Sequence, residues 1–509
     1  MNLSFIDTAI ILFYLGGVLA LGMILRKYIR SAKDYFLAGK LLPWWAIGMS
    51  VVVSDIGALD FVGTSGSAYR YGLVLANFDW IGCIPAMILA AFIFVPYYWR
   101  SGVYTIPEYL GRRYNVYVRT MEAILWVAFM ICNLGIFFWT AAVMLKPLMG
   151  WGVWTSIIVT ATVVGIYTVS GGLSAVVMTD VVQLVIMFIG GAALVILGLW
   201  KLGGWTALVD KVHALGYTDH FKLLLPVNTK SPYPWTGIML GLTVVLATAY
   251  WIGNQAIIQR TLGAKSEWDA KAGMLWAAVL KLFIPVFIVF PGLIALALYP
   301  NLTNADEALP TLVKGLLPPG LMGLVFAAFF AALMSSVDSY LNSASTLFTK
   351  DIYQRFIRKE ASDRHYLAVG RILTIAFVLL AVGFAPVTEK FPGIYEAMQT
   401  LLSFFQGPTL AILLLGMLWR RTTQWGGLAG LISGVAISAS LFVVKDHVFI
   451  CAWPFLYIAW WSFVGSLVVT TVVSLFTKPH SLERLHGLVH GLVVKDSTVQ
   501  KTLEERAEG

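Results

Sequence analysis

One stretch of this sequence places oxygen-bearing side chains along a single helical stripe. The spacing i, i+3, i+4 and i+7 puts four residues on one face of a helix: Ser335, Asp338, Ser339 and Asn342. Hydroxyl and carboxylate oxygens are the ligands that a hard cation such as sodium prefers. Serines in membrane helices also bond back to carbonyls of their own helix, and that structural explanation stays open. The carboxylate in the stripe favours a cation site.

Five further ionisable residues lie in apolar stretches, where burying a charge is costly: Asp55, Asp60, Asp79, Asp180 and Lys281. Small and polar residues interrupt the stretch around Asp55, so this carboxylate is expected to hold a cation or to cap a half-helix. Lys281 is about ten residues from the nearest basic loop, which is far for a snorkelling side chain. We expect it to pair with a carboxylate or a substrate oxygen. Asp180 begins its stretch, where a helix N-terminus also favours a carboxylate.

No catalytic constellation accompanies these residues. The sequence has no phosphate-binding glycine loop, no metal-ligand histidine pair and no nucleophile elbow, so an enzyme and an ATP-driven pump are both disfavoured. The formal net charge of +9 is spread over short loops rather than a basic domain, so no nucleic-acid partner is expected. Three cysteines fit no metal site or disulfide pattern.

The elements that position these residues are predicted to be membrane helices. Apolar residues make up 59% of the 509 positions and charged residues only 12%, against roughly a quarter in soluble domains. The lipid bilayer is therefore the expected solvent. Division into stretches of about 20 apolar residues predicts an all-α protein with about thirteen spans: 6–25, 44–68, 74–98, 118–146, 152–169, 175–200, 236–257, 272–299, 316–350, 367–386, 394–419, 425–444 and 451–476.

The charges of the connecting loops predict the orientation. Alternate loops and the C-terminal tail hold 25 of the Lys and Arg residues, and the opposite set holds 9. Because positive loops stay in the cytoplasm, the N-terminus is expected outside and the C-terminus inside a multi-pass protein of the cell membrane. Residues 1–477 are expected to form one transmembrane domain, and 478–509 a polar cytoplasmic tail that is partly disordered.

Two of the predicted spans are unlike the others. The segments 44–68 and 236–257 are apolar but interrupted by polar and small residues, and they lie five spans apart. An odd offset means that they cross the membrane in opposite directions, as in an inverted repeat, whose broken helices surround a transporter's central site. We therefore predict repeats of about 44–200 and 236–419, with extra spans at 6–25, 425–444 and 451–476.

At these residues the chain resembles the sodium/solute symporter family, and its sodium–sugar cotransporter branch most closely. The resemblance runs from about residue 5 to 476. Five stretches carry it: Phe61–Tyr69, Val103–Tyr109, Ile166–Ala175 with its Gly-Gly-Leu-Ser-Ala signature, Asn254–Leu262 and Ser335–Ser343.

The resemblance implies a LeuT-like fold of five plus five helices and two kinds of ion site. The first sodium site would use backbone carbonyls of Val53, Ile56 and Ala332 with the hydroxyls of Ser335 and Ser336. A second sodium site, present in some members, would use Asp180, Ser335, Asp338 and Ser339. The family usually has a serine where this chain has Asp338.

The resemblance also implies a solute pocket with gates on both sides. It maps the pocket to Asp60, Asp79, Lys281 and Gln399, and we add Asp55 and Trp251 to the expected substrate-binding residues. Tyr250 matches the inner gate, and Thr64, Phe78 and Tyr395 fall at outer-gate positions. Asp60 stands where an amide is usual and Asp79 where glutamate is usual, so the pocket departs from the plain sugar pattern.

The expected function is sodium-coupled symport of a small polar solute by alternating access, with sodium as the coupling ion. A sugar or a polyol is the leading solute class. The alternatives are a carboxylate, amino acid or nucleoside carried with sodium, and an uncoupled facilitator or channel. The sequence leaves the sodium stoichiometry and the oligomeric state open.

Overall fold

The chain is helical along almost its entire described length. The computed structural model describes residues 4–26, 37–170, 173–451, 453–490 and 492. The described residues form no β-strand apart from two isolated bridges. The prediction of an all-α fold is confirmed.

The helices coincide with the thirteen predicted spans. Seven unbroken helices of the described residues are long and apolar enough to cross a membrane: Phe78–Ser101, Val116–Met149, Val176–Leu202, Leu321–Ile357, Asp363–Lys390, Gln424–Val443 and Phe455–Phe476. Four more spans are pairs of helices that meet at a bend: Trp44–Asp55 with Asp60–Ala76 (59°), Gly237–Gly253 with Gln255–Leu262 (48°), Glu267–Lys281 with Ile284–Leu298 (46°), and Ile394–Ser403 with Gln406–Leu418 (45°). The helices Phe5–Arg26 and Val153–Ser170 correspond to the remaining two.

Shorter helices connect the spans on both sides. They are Ile106–Arg113, Trp205–Ala214, Ala308–Leu316 and Lys445–Val448, and one further short helix, Leu482–Leu485, follows the last span. Polar side chains begin several helices by capping the first turn. Asn115, for example, accepts a hydrogen bond from the Val118 amide at 2.9 Å.

The structure has twice as many broken spans as the sequence analysis predicted. Small and polar residues indicated the first two breaks, but the breaks after Lys281 and after Ser403 lie in apolar sequence. Proline explains both of them. Pro285 and Pro408 lack the amide that would donate to the carbonyls of Lys281 and Phe404 in a continuous helix, so the helix ends there.

The helices that carry the candidate ion ligands pack against one another. Trp44–Asp55 contacts Glu267–Lys281 and Leu173–Leu202, and Leu321–Leu347 contacts both Leu173–Leu202 and Trp44–Asp55. Small residues permit the close approach, since a Cβ on Gly48 would overlap Trp276 of the neighbouring helix. Distant parts of the sequence therefore meet around the first broken span.

The start of the C-terminal tail is docked rather than disordered. Leu485 and Val489 are buried, the Tyr109 hydroxyl donates to the Leu488 carbonyl, and Arg484 donates to the Tyr114 carbonyl at 2.9 Å. These contacts hold the first part of the tail against the short helix Ile106–Arg113, and the partial disorder expected of the tail stays a prediction. Most of the remainder of the predicted tail, residues 491 and 493–509, lies outside the described residues.

Two other features of the sequence lie outside the residues that the structure describes. Gly171 and Gly172 of the family signature, and residues 27–36 of the first basic loop, lie outside the described residues.

Candidate functional site

The first broken span exposes backbone carbonyls at its break. The amide of Gly57 donates to Asp60 Oδ2 at 2.9 Å, and the amide of Asp60 donates to the Gly57 carbonyl at 3.0 Å. In a continuous helix these two amides would donate hydrogen bonds to the carbonyls of Val53 and Ile56. Both carbonyls are therefore released from the helical ladder, and they are the two that the resemblance implied as sodium ligands.

Two unpartnered hydroxyls lie opposite this break. Ser335 and Ser336 are buried in the helix Leu321–Leu347, and within the described residues their hydroxyl oxygens have no hydrogen-bond partner. A Cβ on Gly57 would overlap Ser336 Oγ, so the break and the serine are in close contact. Ala332 is buried one turn before Ser336. Neutral carbonyl and hydroxyl oxygens that lack protein partners fit a sodium ion, which prefers oxygen ligands.

The predicted solute and gate residues line one cavity beside that break. It is bounded by all ten of them: Asp55, Asp60, Thr64, Phe78, Asp79, Tyr250, Trp251, Lys281, Tyr395 and Gln399. They come from five spans that are far apart in the sequence. The fold therefore brings together every residue that we predicted to bind the solute or to form a gate.

Lys281 is the electrostatic centre of this cavity. Its ammonium donates to Asp79 Oδ1 at 2.6 Å and forms an ion pair with Asp55. It also lies 5.8 Å from the centre of the Trp251 ring, at cation–π distance. Lys281 is the last residue before the Pro285 break, which fixes where its side chain enters the cavity. The predicted pairing of Lys281 with a carboxylate is confirmed.

Aromatic rings form the opposite walls of the cavity. Phe78 meets Tyr395 edge-on, with ring centres 5.0 Å apart, and Gln399 Nε2 donates to the Tyr395 hydroxyl at 3.0 Å. On another wall the hydroxyls of Tyr250 and Tyr340 lie 3.4 Å apart. Both pairs are arranged so that a ring can cover a bound solute.

We expect the variant Tyr250→Ala to lose most solute accumulation while sodium binding stays nearly unchanged. The ring of Tyr250 is a wall of the solute cavity and is not one of the predicted sodium ligands. Its hydroxyl contact with Tyr340 is long, so Tyr250→Phe should behave like the natural protein. Steady-state uptake in proteoliposomes measures accumulation, and sodium-dependent thermal stabilisation measures ion binding. Full accumulation by Tyr250→Ala would remove the gate assignment.

The residues of the predicted second sodium site surround an arginine. Arg260 Nη2 lies 3.1 Å from Asp180 Oδ2 and donates to Ser339 Oγ at 2.7 Å. Ser339 also donates to the carbonyl of Ser335 at 2.6 Å, so the structural explanation of the serine stripe holds for Ser339. Asp338 is buried in the same helix. The second sodium site stays a prediction; the guanidinium contacts Oδ2 of Asp180, while Oδ1 is buried and has no hydrogen-bond partner among the described residues.

Sequence reasoning missed several residues of these sites. Arg260 was assigned to a basic loop, yet its side chain is buried. The cavity is also lined by residues that were not singled out, among them Cys83, Phe137, Tyr340 and Gln406. Tyr340 lies within the Ser335–Ser343 stretch, and Gln406 is a polar residue two positions before the helix-breaking Pro408, so both carried a usable signal.

Known proteins share this sequence and architecture. A sequence model of the Sodium:solute symporter family matches residues 35–434. The sodium/glucose cotransporter of Vibrio parahaemolyticus is 33% identical over 467 residues, which cover 86% of each chain. The sodium/myo-inositol cotransporter of Homo sapiens is 32% identical over an alignment of 560 positions, gaps included, that covers 97% of this chain and 77% of that protein.

The fold is shared as well. The substrate-bound, outward-open structure of a Na⁺-coupled sialic acid symporter aligns with 94% of this chain and 100% of its own, with a TM-score of 0.81 and 22% sequence identity. This likeness confirms the LeuT-like helical architecture. The family match, the identity to the cotransporters and the shared fold lead to one conclusion: the chain belongs to the sodium:solute symporter family and is a sodium-coupled transporter, not an enzyme.

Proposed function

We propose that this protein imports a small polyhydroxylated solute, a sugar or a polyol, together with sodium. The observation that carries the proposal is the shared wall between two sites. The segment from Val53 to Asp60 contacts Ser336 at its break, where two carbonyls are free of the helix, and its carboxylates Asp55 and Asp60 line the cavity. A ligand can drive a conformational change only if it interacts differently with the two states. A segment that touches both ligands meets this requirement.

The polar groups of the cavity support a hydroxyl-bearing solute. The Thr64 hydroxyl and the Trp251 indole nitrogen are buried and have no hydrogen-bond partner in the described part of the protein. Buried polar groups of this kind usually have a partner. A sugar or polyol hydroxyl can both donate and accept, so it could serve both groups. The two relatives named above for glucose and myo-inositol transport also support this solute class.

The charges of the cavity disfavour an anionic solute. Three carboxylates, those of Asp55, Asp60 and Asp79, face one ammonium, that of Lys281. An added carboxylate on the solute would be repelled where little water can screen it. A sodium ion near Val53 and Ile56 would bring positive charge beside Asp55. This arrangement supports sodium binding as a condition for high solute affinity.

The orientation and repeat organisation complete the proposal. The charge asymmetry of the loops supports an external N-terminus and a cytoplasmic C-terminus in the cell membrane. The paired broken spans at Trp44–Ala76 and Gly237–Leu262 support repeats of about 44–200 and 236–419.

An uptake screen in proteoliposomes tests the proposed solute class. Sugars, polyols, carboxylates, amino acids and nucleosides would each be offered with an inward sodium gradient, and again with the gradient replaced by choline. We expect saturable uptake of a sugar or polyol that disappears without sodium. Sodium-driven uptake confined to another class would contradict the solute assignment, and uptake independent of sodium would contradict coupling.

We expect one sodium ion per solute, because Arg260 already neutralises Asp180. The measurement is the ratio of sodium to solute flux in the natural protein and in Asp180→Asn. A ratio of one in both would show that no second sodium ion is coupled through Asp180. A ratio of two that falls to one in the variant would instead establish the second sodium site and show that Arg260 gives way to the ion.

A further inference from the structure

One side chain of the cavity has hydrogen-bonding capacity that nothing described so far uses. Gln406 is fully buried and lines the cavity. Within the described residues, neither its Oε1 nor its Nε2 has a hydrogen-bond partner. The other glutamine of this span is different, because Gln399 Nε2 already donates to Tyr395.

The broken span explains how a glutamine is held in this position. Gln406 is the first residue of the helix Gln406–Leu418. Phe405, just before it, is fixed by edge-on contact with Trp126 at 5.0 Å, and Pro408 packs closely against Gly434. The backbone on both sides of Gln406 is therefore anchored in the core, which leaves the side chain at the cavity wall.

Its surroundings supply no alternative partner. Among the other residues that line the cavity, Phe137 and Leu402 are apolar, Gln399 bonds to Tyr395, and the Tyr340 hydroxyl faces that of Tyr250. A buried amide without partners destabilises a protein, so such a group is expected to have a purpose. An amide offers one acceptor and one donor side by side. That pair matches a hydroxyl group, or two adjacent hydroxyls, which can donate to Oε1 and accept from Nε2.

We propose that Gln406 is a solute-binding residue that recognises a hydroxyl pair of a sugar or polyol. This inference rests on the proposed function and adds a contact that the resemblance did not imply. It makes Gln406 a determinant of specificity, because a site built around hydrogen bonds rejects analogues that lack the matching hydroxyl.

The first test compares Gln406→Leu with Asn133→Leu. Asn133 is the matched control, because it is a buried amide with no partner for either atom in the described chain and is not among the cavity residues. Both variants should melt at a higher temperature than the natural protein in sodium without solute, since each removes an unsatisfied amide. For uptake of glucose and myo-inositol, Gln406→Leu should raise KM about tenfold with little change in kcat. Asn133→Leu should leave KM unchanged.

Deoxy analogues of the transported probe provide the second test. The natural protein should bind one monodeoxy analogue much more weakly than the parent, and Gln406→Leu should not distinguish the two. An unchanged KM in Gln406→Leu, or equal discrimination by both proteins, would overturn the proposal. If the natural protein transports neither probe, the proposed solute class fails separately. The melting comparison then still tests the role of Gln406. An unchanged or lower melting temperature of Gln406→Leu would mean that the amide has hydrogen-bond partners within the protein, which would overturn the proposal.

Discussion

The double variant Ser335→Ala/Ser336→Ala is expected to abolish sodium-driven accumulation of solute and to remain folded. Both hydroxyls are buried; that of Ser336 has no hydrogen-bond partner in the described structure, and the Asp180 carboxylate near Ser335 keeps Ser50 and Arg260 as partners. The free energy of unfolding should change by less than about 1 kcal/mol. The variant loses two of the five oxygens predicted to replace water around the ion.

The measurements are uptake into proteoliposomes under a sodium gradient and thermal melting. Ser345→Ala is the control on the same helix. Its hydroxyl donates to the Gly370 carbonyl at 3.0 Å, so that variant should lose about 1 kcal/mol of stability and keep its coupling. If the double variant keeps its sodium-driven uptake, the ion binds elsewhere.

The variant Lys281→Met should lose transport and also a large part of its stability. The ammonium of Lys281 contacts Asp55 and Asp79 at once. Its removal leaves two carboxylates close together with no counter-charge, and breaking a buried ion pair on one side costs about 3–5 kcal/mol. The fall should appear in thermal melting, and uptake should be undetectable because the cavity has lost its only cation among the described residues.

A triple variant separates the two effects. Asp55→Asn/Asp79→Asn/Lys281→Met removes both charges that the single variant leaves unpaired, so it should recover most of the stability and none of the transport. Lys201→Met controls for the loss of a lysine from the end of a span, and its effect should stay within about 0.5 kcal/mol. If Lys281→Met is as stable as the natural protein, the three charges are not held together as described.

The sequence carried enough information to predict the spans and the first broken helix. Long apolar stretches have one stable solution in lipid, which is a helix. Around Asp55 and Asp60, small and polar residues made a break energetically plausible. The structure confirms the break. The Gly57 amide donates its hydrogen bond to the Asp60 carboxylate and not to the backbone carbonyl one turn earlier.

Other parts of the site depended on geometry that composition does not reveal. The breaks at Pro285 and Pro408 lie among apolar residues, and only the missing proline amides mark them. The predicted spans 236–257 and 272–299 left Arg260 in the cytoplasmic loop between them. In the structure a bend of 48° between Gly237–Gly253 and Gln255–Leu262 redirects the half-helix that carries Arg260, and the guanidinium reaches Asp180. Such a bend angle is set by packing with helices that are remote in the sequence.

The contact between Gly57 and Ser336 has a genetic consequence. Every single-base change in a glycine codon that yields a different amino acid adds a Cβ. At this position that atom would overlap the Ser336 hydroxyl, and the serine would have to turn away from the break. If Ser336 binds sodium as predicted, selection for coupling would also constrain the Gly57 codon, whose own residue supplies no predicted ligand.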